Sequence, residues 1–497
     1  MHIHERSLRR ALPATIIAFV IGLVGARSAA ADPITSFTAG DLVISTVSSL
    51  NGGGLDTAAP IVLQQFQLGA GGTSATSAGT FALPQTSSGA NSAISGEYGS
   101  ASEGVLQLSA NGQYLTIMGY GVNATAFNTA PLSTYGTAAL GQTTSLTPAN
   151  QTGTPVTTVP RVVALIGANG SVDTSTALTG VFNTNNPRSV ATVDGSTFYV
   201  SGQGASKTDP TQGVFLATRG ATTATPIDTS TDTRVVSIFN TGSGNTLYAS
   251  RDQNPPGSGF QNFTNVSSLT GPGGGLPTSS TGLVTTHITP PASPLSSGGN
   301  NGSINLTAAL ANGVNNGRIG SFVYLSPESY FFASPTVLYV ADSGQPKNGN
   351  VNKAALGEGG LQKWVLTNGV WKLDYDLVAG LSLVNNANAN SNTPTAAGVT
   401  GLFGLTGEVV GGNVELFATS YGLNELSQSF LYEITDDLAD TTLPVSEDFT
   451  TLFSAPDGEL IRGVAFAPVP EPSTLAILAA SLAGLIFVRR RRHEMRA

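Results

Sequence analysis

An all-β fold is predicted by three features of this sequence. Helical signals are scarce between residues 32 and 468, short apolar runs of strand character recur along that whole stretch, and turn dipeptides join many of them. The runs are Asp41–Val47, Val105–Leu108, Tyr114–Met118, Val162–Ile166, Thr197–Ser201, Val214–Ala217, Val235–Phe239, Thr246–Ala249, Val337–Ala341, Leu361–Leu366, Val370–Leu377, Val414–Thr419, Phe430–Ile434 and Leu460–Ala465. Asn111-Gly112, Asn169-Gly170, Asp194-Gly195 and Asn368-Gly369 each stand between two runs, as a hairpin requires. Trp371, Leu373, Tyr375 and Leu377 alternate with Lys372, Asp374 and Asp376, which predicts a strand with one apolar and one charged face.

The hairpins resemble one another. Gly104–Leu115, Pro187–Val200 and Thr233–Tyr248 each read as an apolar strand, a Gly-containing turn and an aromatic-bearing strand. Such repetition over more than 400 residues predicts a β-propeller of about seven blades, within a range of six to eight. A pair of β-sandwiches or a right-handed β-helix is the alternative, but strand–turn–strand pairing argues against the parallel coils of a helix. Val337–Gly344 resembles the strand-turn of NHL-type propeller repeats. Asp41–Val47 and Leu460–Phe466, the first and last strands, are expected to share a blade and close the ring. Residues 69–103, 253–302 and 385–398 are rich in Gly, Ser, Thr, Asn or Pro and read as long surface loops.

The chain has 497 residues, 40% hydrophobic but only 10% charged, so hydroxyl and amide groups carry much of its solvation. Cysteine is absent, which excludes disulfides, thiolate metal ligands and thiol nucleophiles. Nine of the 21 basic residues lie in the two ends, leaving 12 basic against 27 acidic residues in 32–468. A body this acidic repels phosphate backbones, so nucleic acid is not an expected partner.

Chemistry in the body is sparse. His287 is the one histidine outside the ends and sits beside Pro290-Pro291, so it reads as surface. No Gly-x-Ser-x-Gly elbow, Gly-Lys-Thr phosphate loop or dinucleotide fingerprint occurs. No catalytic residue and no cofactor is therefore assigned. Asp374 with Asp376, Asp436 with Asp437 and Asp440, and Asp342 through Asn350 supply oxygens that calcium could use, but none has the spacing of a calcium loop. Tyr375 and Tyr421 could stack on sugars, although aromatics in strands belong to cores by default.

The ends are more specific. Arg6, Arg9 and Arg10 precede the apolar run Ala11–Ala26, and Ala29 and Ala31 place small residues before Asp32. This is the layout of a secretory signal peptide over 1–31, with Asp32 as the mature start. At the other end Val469-Pro470-Glu471-Pro472 precedes the apolar run Leu475–Val488 and the block Arg489, Arg490, Arg491 and Arg492. A transmembrane helix of about 14–16 residues spans somewhat less than a ~30 Å hydrocarbon core, and snorkelling arginines extend it. The arginines stay cytoplasmic.

Pro-Glu-Pro, a short apolar helix and a terminal arginine cluster together resemble the PEP-CTERM sorting signal, over 469–497. That tail is also known as the "ice-binding protein C-terminal domain", a label that implies no ice binding. The resemblance implies a bacterial protein of exopolysaccharide-linked export, held briefly in the inner membrane and then processed by the membrane protease exosortase near Pro470–Pro472. It is silent on residues 32–468. The expected product is a cell-surface or extracellular-matrix protein with a non-enzymatic propeller, possible partners being exosortase, the membrane and a polysaccharide. A propeller-type polysaccharide hydrolase or lyase, or a calcium-stabilised adhesin, is the alternative.

Overall fold

The computed structural model describes residues 32–147, 153–206, 208–242, 244–252, 264–288, 303–305, 322–324, 326–344, 359–383, 398–422 and 426–470. In chain order the strands are β1 (Leu42–Ser48), β2 (Ala58–Leu68), β3 (Ala75–Ala82), β4 (Ser95–Glu97), β5 (Gln107–Leu108), β6 (Tyr114–Tyr120), β7 (Arg161–Gly167), β8 (Val172–Leu178), β9 (Pro187–Ala191), β10 (Thr197–Gly202), β11 (Gly213–Thr218), β12 (Thr225–Asp228), β13 (Val236–Asn240) and β14 (Asn245–Asp252). They continue as β15 (Thr264–Thr270), β16 (Val284–His287), β17 (Ser303–Asn305), β18 (Phe322–Tyr324), β19 (Pro327–Ser334), β20 (Val337–Asp342), β21 (Gly360–Thr367), β22 (Val370–Leu377), β23 (Val399–Val410), β24 (Asn413–Gly422), β25 (Phe430–Asp437), β26 (Thr450–Ser454) and β27 (Glu459–Phe466). Two short helices, α1 (Ala124–Thr129) and α2 (Leu132–Tyr135), follow β6. Among the described residues no helix is long and apolar enough to cross a membrane.

The strands form an all-β propeller arrangement. Four sheets are four-stranded antiparallel meanders: β9–β12, β13–β16, β19–β22 and β23–β26. β17 and β18 form a two-stranded sheet. A nine-stranded sheet holds two further fans, β27-β1-β2-β3 and β5-β6-β7-β8, joined by β4, which pairs with both β2 and β6. β27 pairs antiparallel with β1, Leu42 opposite Phe466 and Val47 opposite Leu460, so the first and last strands close the ring as expected. At the β21–β22 hairpin Asn368 and Gly369 have φ of 54° and 77°, the two positive values that a type I′ turn demands.

Successive fans bury both faces of their strands, which is why so many runs are nearly continuous in apolar residues. Ile61 and Leu63 of β2 meet Leu115 and Ile117 of β6. Met118 and Leu165 meet Phe198 and Val200. Tyr199 meets Val236 and Leu247, Tyr248 meets Tyr330 and Leu338, and Tyr339 meets Leu402 and Leu416. Phe417 and Leu431 pack on Leu42, Ile44 and Val464, which returns to the first fan.

Hydroxyl groups pin neighbouring fans at equivalent places. Ser45 on β1 donates to the carbonyl of Gly104 (2.6 Å), Thr116 on β6 to Val190 (2.9 Å), Ser201 on β10 to Arg234 (3.0 Å) and Thr419 on β24 to Arg462 (2.6 Å). Each runs from the second strand of one fan to the innermost segment of the next. All four side chains are buried, so losing one leaves a carbonyl without its partner. Thr419→Val keeps the shape and removes the bond. It should cost roughly 1–3 kcal/mol of stability, read as a lower urea midpoint with an unchanged slope.

Three expectations need correcting. Residues 69–103 are not one surface loop, because they contain β3 and β4; β3 is an outer strand of small and hydroxyl residues, largely exposed, and so lacks the apolar alternation. Residues 253–302 likewise contain β15 and β16, and β15 is built from Thr, Asn and Ser around Val266 and Leu269. On β22 Leu373, Tyr375 and Leu377 are buried as expected, but so is Asp376, because the ladder shifts register between Lys363 and Trp364 and that end of the strand is covered on both faces. Of the expected loop 385–398, all but residue 398 lies outside the described residues.

Candidate functional site

Charged side chains gather where the innermost strands begin. Arg188 lies on β9, Arg234 just before β13, Glu328 on β19, Arg462 on β27 and Glu103 just before β5. Arg188 pairs with Asp232, and its other terminal nitrogen donates to Gln203 Oε1 at 2.7 Å. Arg234 Nη1 stands 3.2 Å from Glu328 Oε1. The two arginines line a cavity of about 310 Å³ with Asp56, Glu97, Asn186 and Tyr421. A second cavity, about 230 Å³, lies against the inner strands and is more apolar, with Leu106, Phe239, Tyr330 and Leu405 in its wall.

Glu97 closes the floor of the first cavity. Its Oε1 accepts from the Gly141 amide at 3.1 Å, and its own amide donates to Glu103 Oε2 at 3.3 Å. A side chain at Gly141 would collide with Glu97 Oε2, since an added Cβ would lie 2.6 Å from it. Behind Glu97, Glu103 Oε1 accepts from the Tyr120 hydroxyl at 2.5 Å. The Arg161 guanidinium packs 4.7 Å from the Tyr120 ring centre and donates to the carbonyls of Thr143, Val159, Phe182 and Asn185. Burial first, and then the Glu103 charge, push Glu97 up to about 9. Burial raises Glu103 as well. Burial thus disfavours the charge on both carboxyl groups, and the Glu103 charge adds to the effect at Glu97. The site therefore sets a carboxyl group with a raised pKa beside guanidinium and amide groups.

The chain's last described residues leave the fold at a fixed point. The Ala467 amide donates to Asp41 O and the Val469 amide to Gly112 O, each at 2.8 Å. Val469 is 44% exposed and Pro470 is exposed. From there the sequence runs into the tail already singled out, and the PEP-CTERM protein-sorting motif family matches residues 468–492. The chain carries a PEP-CTERM sorting motif. The motif implies an exported protein, anchored transiently in the membrane and processed by exosortase. No curated protein matches the chain in sequence. Among solved structures, a point mutant of a Synechocystis apocarotenoid oxygenase aligns over 88% of this chain and 94% of its own, at 10% identity and a TM-score of 0.37.

The predicted site residues scatter along the chain. Val469 and Pro470 begin the motif at the edge of the body, whereas Glu471, Pro472 and Arg489–Arg492 lie outside the described residues, as do Ala29 and Ala31. Asp32 is described, and its carbonyl accepts from the Thr80 amide at 2.9 Å on β3. His287 is not in a loop: it ends β16 half-buried, with Nδ1 2.9 Å from Ser267 Oγ across the strand pair. Burial, then the Arg251 charge, lowers its pKa.

Two of the aspartates offered as calcium ligands, Asp342 and Asp436, make close contacts within the fold. Asp342 accepts from the Gly344 amide (2.8 Å), the Ser326 amide (3.1 Å) and Gln362 Nε2 (2.7 Å). Asp436 is buried against Lys363, Nζ to Oδ2 being 2.9 Å, while Asp437 and Asp440 offer Lys363 their backbone carbonyls. Among the described residues no three His, Cys, Asp or Glu side chains group as metal ligands. Tyr421 does reach the charged cavity, whereas Tyr375 is core. Glu97 and Glu103 escaped the sequence reading because they sit in and beside the Gly/Ser-rich stretch. One signal was available: they are the only acidic residues between Asp56 and Asp173.

Proposed function

We propose that this is an exosortase-released cell-surface or matrix protein whose propeller binds a hydroxyl-rich, polysaccharide-type ligand without turning it over. One observation carries the reading. Asp56, Glu97, Asn186, Arg188 and Arg234 crowd donors and acceptors around one cavity of about 310 Å³ with Tyr421 in its wall. Such a lining suits sugar hydroxyls, and the phenol offers an apolar face to a ring. Glu103 accepts from the Glu97 backbone amide at 3.3 Å but does not line the cavity, whereas a glycosidase sets both carboxyl groups against its substrate. We assign the protein no cofactor and no calcium requirement.

The body proposed for 32–468 has six blades, at the low end of the expected range. Six fans with second strands β1, β6, β10, β14, β20 and β24 support that count. So do the apolar contacts that lead from each fan to the next and back to the first. Hydrogen bonds at Asp32 and Val469 support placing a removable signal peptide over 1–31 and the sorting segment over 469–497.

A second reading, a hydrolase or lyase, has one observation in its favour: protonated Glu97 shares the cavity with exposed Asp56, which is held at φ 65°. Incubating the exported protein with exopolysaccharide from its own medium separates the two. Binding without new chain ends is expected. Gln142 is an exposed residue of the cavity wall. Gln142→Trp should therefore weaken binding by about tenfold or more at an unchanged melting temperature. New chain ends that vanish in Glu97→Gln would put the enzyme reading in its place.

A further inference from the structure

Lys363 and Asp436 lie where the β19–β22 and β23–β26 sheets meet, and both side chains are fully buried. Tyr339, Lys363 and Tyr375 stand opposite one another across β20, β21 and β22. Asp436 faces them from β25 of the next sheet. Lys363 Nζ is 2.9 Å from Asp436 Oδ2 and 2.8 Å from the Tyr375 hydroxyl, and it donates to the carbonyls of Asp437 and Asp440 at 2.7 and 2.9 Å. The Tyr375 hydroxyl donates to Asp436 Oδ1 at 2.6 Å, and the Tyr339 hydroxyl to Oδ2. Glu447, in the connection from β25 to β26, brings a second carboxyl against Asp436. Its Oε2 is buried and meets no hydrogen-bond partner among the described residues. Burial, then Asp436, pushes Glu447 up to about 8.

An ion pair alone has no use for that second acid. Two buried charges already cost several kcal/mol each in lost hydration, and a further carboxyl beside the carboxylate would repel it unless a proton stands between them. An amine, a carboxyl carbon, a protonated acid and two phenols aimed at the carboxyl oxygens instead compose the machinery of amide formation. We propose that Lys363 and Asp436 condense into an intramolecular amide bond, with Glu447 as proton shuttle and Tyr339 and Tyr375 holding the carboxyl oxygens.

The step balances without any co-reactant. A proton passes from Nζ to the Asp436 carboxylate, turning the ion pair into amine and acid. The nitrogen lone pair attacks Cγ and a C–N bond forms. A phenol steadies the oxygen on which charge develops. Glu447 gives its proton to the departing hydroxyl and recovers one from the nitrogen as the Cγ–O bond breaks. One water leaves, and an amide N–H remains. Condensation is unfavourable for a free amine and acid in water. Groups held in contact react with effective concentrations of roughly 10⁵–10⁸ M, and a dry site slows the reverse hydrolysis. The bond would tie adjacent blades together in an exported chain with no cysteine.

Peptide mapping of the denatured, exported protein decides it. Trypsin should fail to cut after Lys363, and a branched peptide should join the Lys363 and Asp436 segments, lighter than their sum by one water. Asp436→Asn should give the same product by releasing ammonia. Glu447→Gln should leave the two segments separate while the β-sheet circular dichroism persists. Ready cleavage after Lys363 in the wild type, with both peptides at full mass, overturns the bond whatever the variants do. A link that forms at full yield in Glu447→Gln overturns the shuttle.

Discussion

The body should lose stability steadily as the pH is raised from about 5 to 9, and Glu97→Gln should remove about half of that slope. Glu97 is held protonated up to about 9, first by burial and then by the charge of Glu103, against 4.5 in an ordinary exposed glutamate. Between those values the folded protein keeps a proton that the unfolded chain has released. The extra proton makes the unfolding free energy fall by about 1.4 kcal/mol per pH unit. The stabilisation is complete below the unfolded value and gone once the pH passes the folded one. Glu447 adds to the slope in the same direction, its carboxyl being pushed up to about 8 by burial and by Asp436.

An opposite limb is expected in acid. Burial raises the carboxyl of Asp228, but the Arg251 charge and the Ser230 hydrogen bonds outweigh it and hold the carboxyl below its usual value. Its contribution is present above the unfolded value of 3.8 and fades as the pH falls through the lowered one. The stability maximum should therefore lie near pH 4–5. Urea midpoints measured across the range test this. Gln at 97 keeps an acceptor for the Gly141 amide and offers Glu103 a donor, so the variant should fold. A flat wild-type profile from pH 5 to 9, or a variant with the same slope, would show that no proton is stored at Glu97.

The architecture was legible wherever a strand buries both faces. Leu338–Ala341, Leu416–Thr419 and Phe198–Ser201 lie inside predicted runs, and their alternate residues pack on two different neighbouring blades. β3 and β15 were not legible because neither carries an alternating apolar period: β3 has Phe81 among Ala, Ser, Thr and Gly, and β15 has only Val266 and Leu269, three residues apart. Ring closure could be read from the positions of the first and last strands. The hydroxyls that join neighbouring fans, Ser45, Thr116, Ser201 and Thr419, leave little trace in a sequence rich in Ser and Thr. The acid pair was hidden for a different reason. Glu97 and Glu103 are brought onto Tyr120 and Arg161 by strand pairings that sequence distance conceals. Asp436 was picked out by its charge, but its partner Lys363 lies on another blade, so an acidic turn and a buried cross-blade contact looked the same.

Substituting Glu471 should abolish processing of the tail and leave the body's stability unchanged. Among the described residues the Val469 amide, at the start of the motif, still donates to Gly112 O, and Pro470 is already exposed. Glu471 thus follows the last described residue directly. Proline at 472 biases residue 471 toward an extended backbone, which presents its side chain ahead of the apolar run Leu475–Val488. That run contains no charge, and the four arginines that follow it are costly to translocate. The precursor should therefore stop with its arginines inside and the Pro-Glu-Pro segment at the outer membrane surface, within reach of a membrane protease. Pulse-labelling in a host that supplies exosortase should show wild type converted to a shorter released form and Glu471→Ala retained in the membrane at precursor length. Replacing Arg489–Arg492 with neutral residues should fail differently, the tail passing through the membrane and the precursor appearing uncut in the medium. Release of Glu471→Ala at the wild-type rate would mean that the tail is an anchor whose prolines do no more than break the chain before a helix.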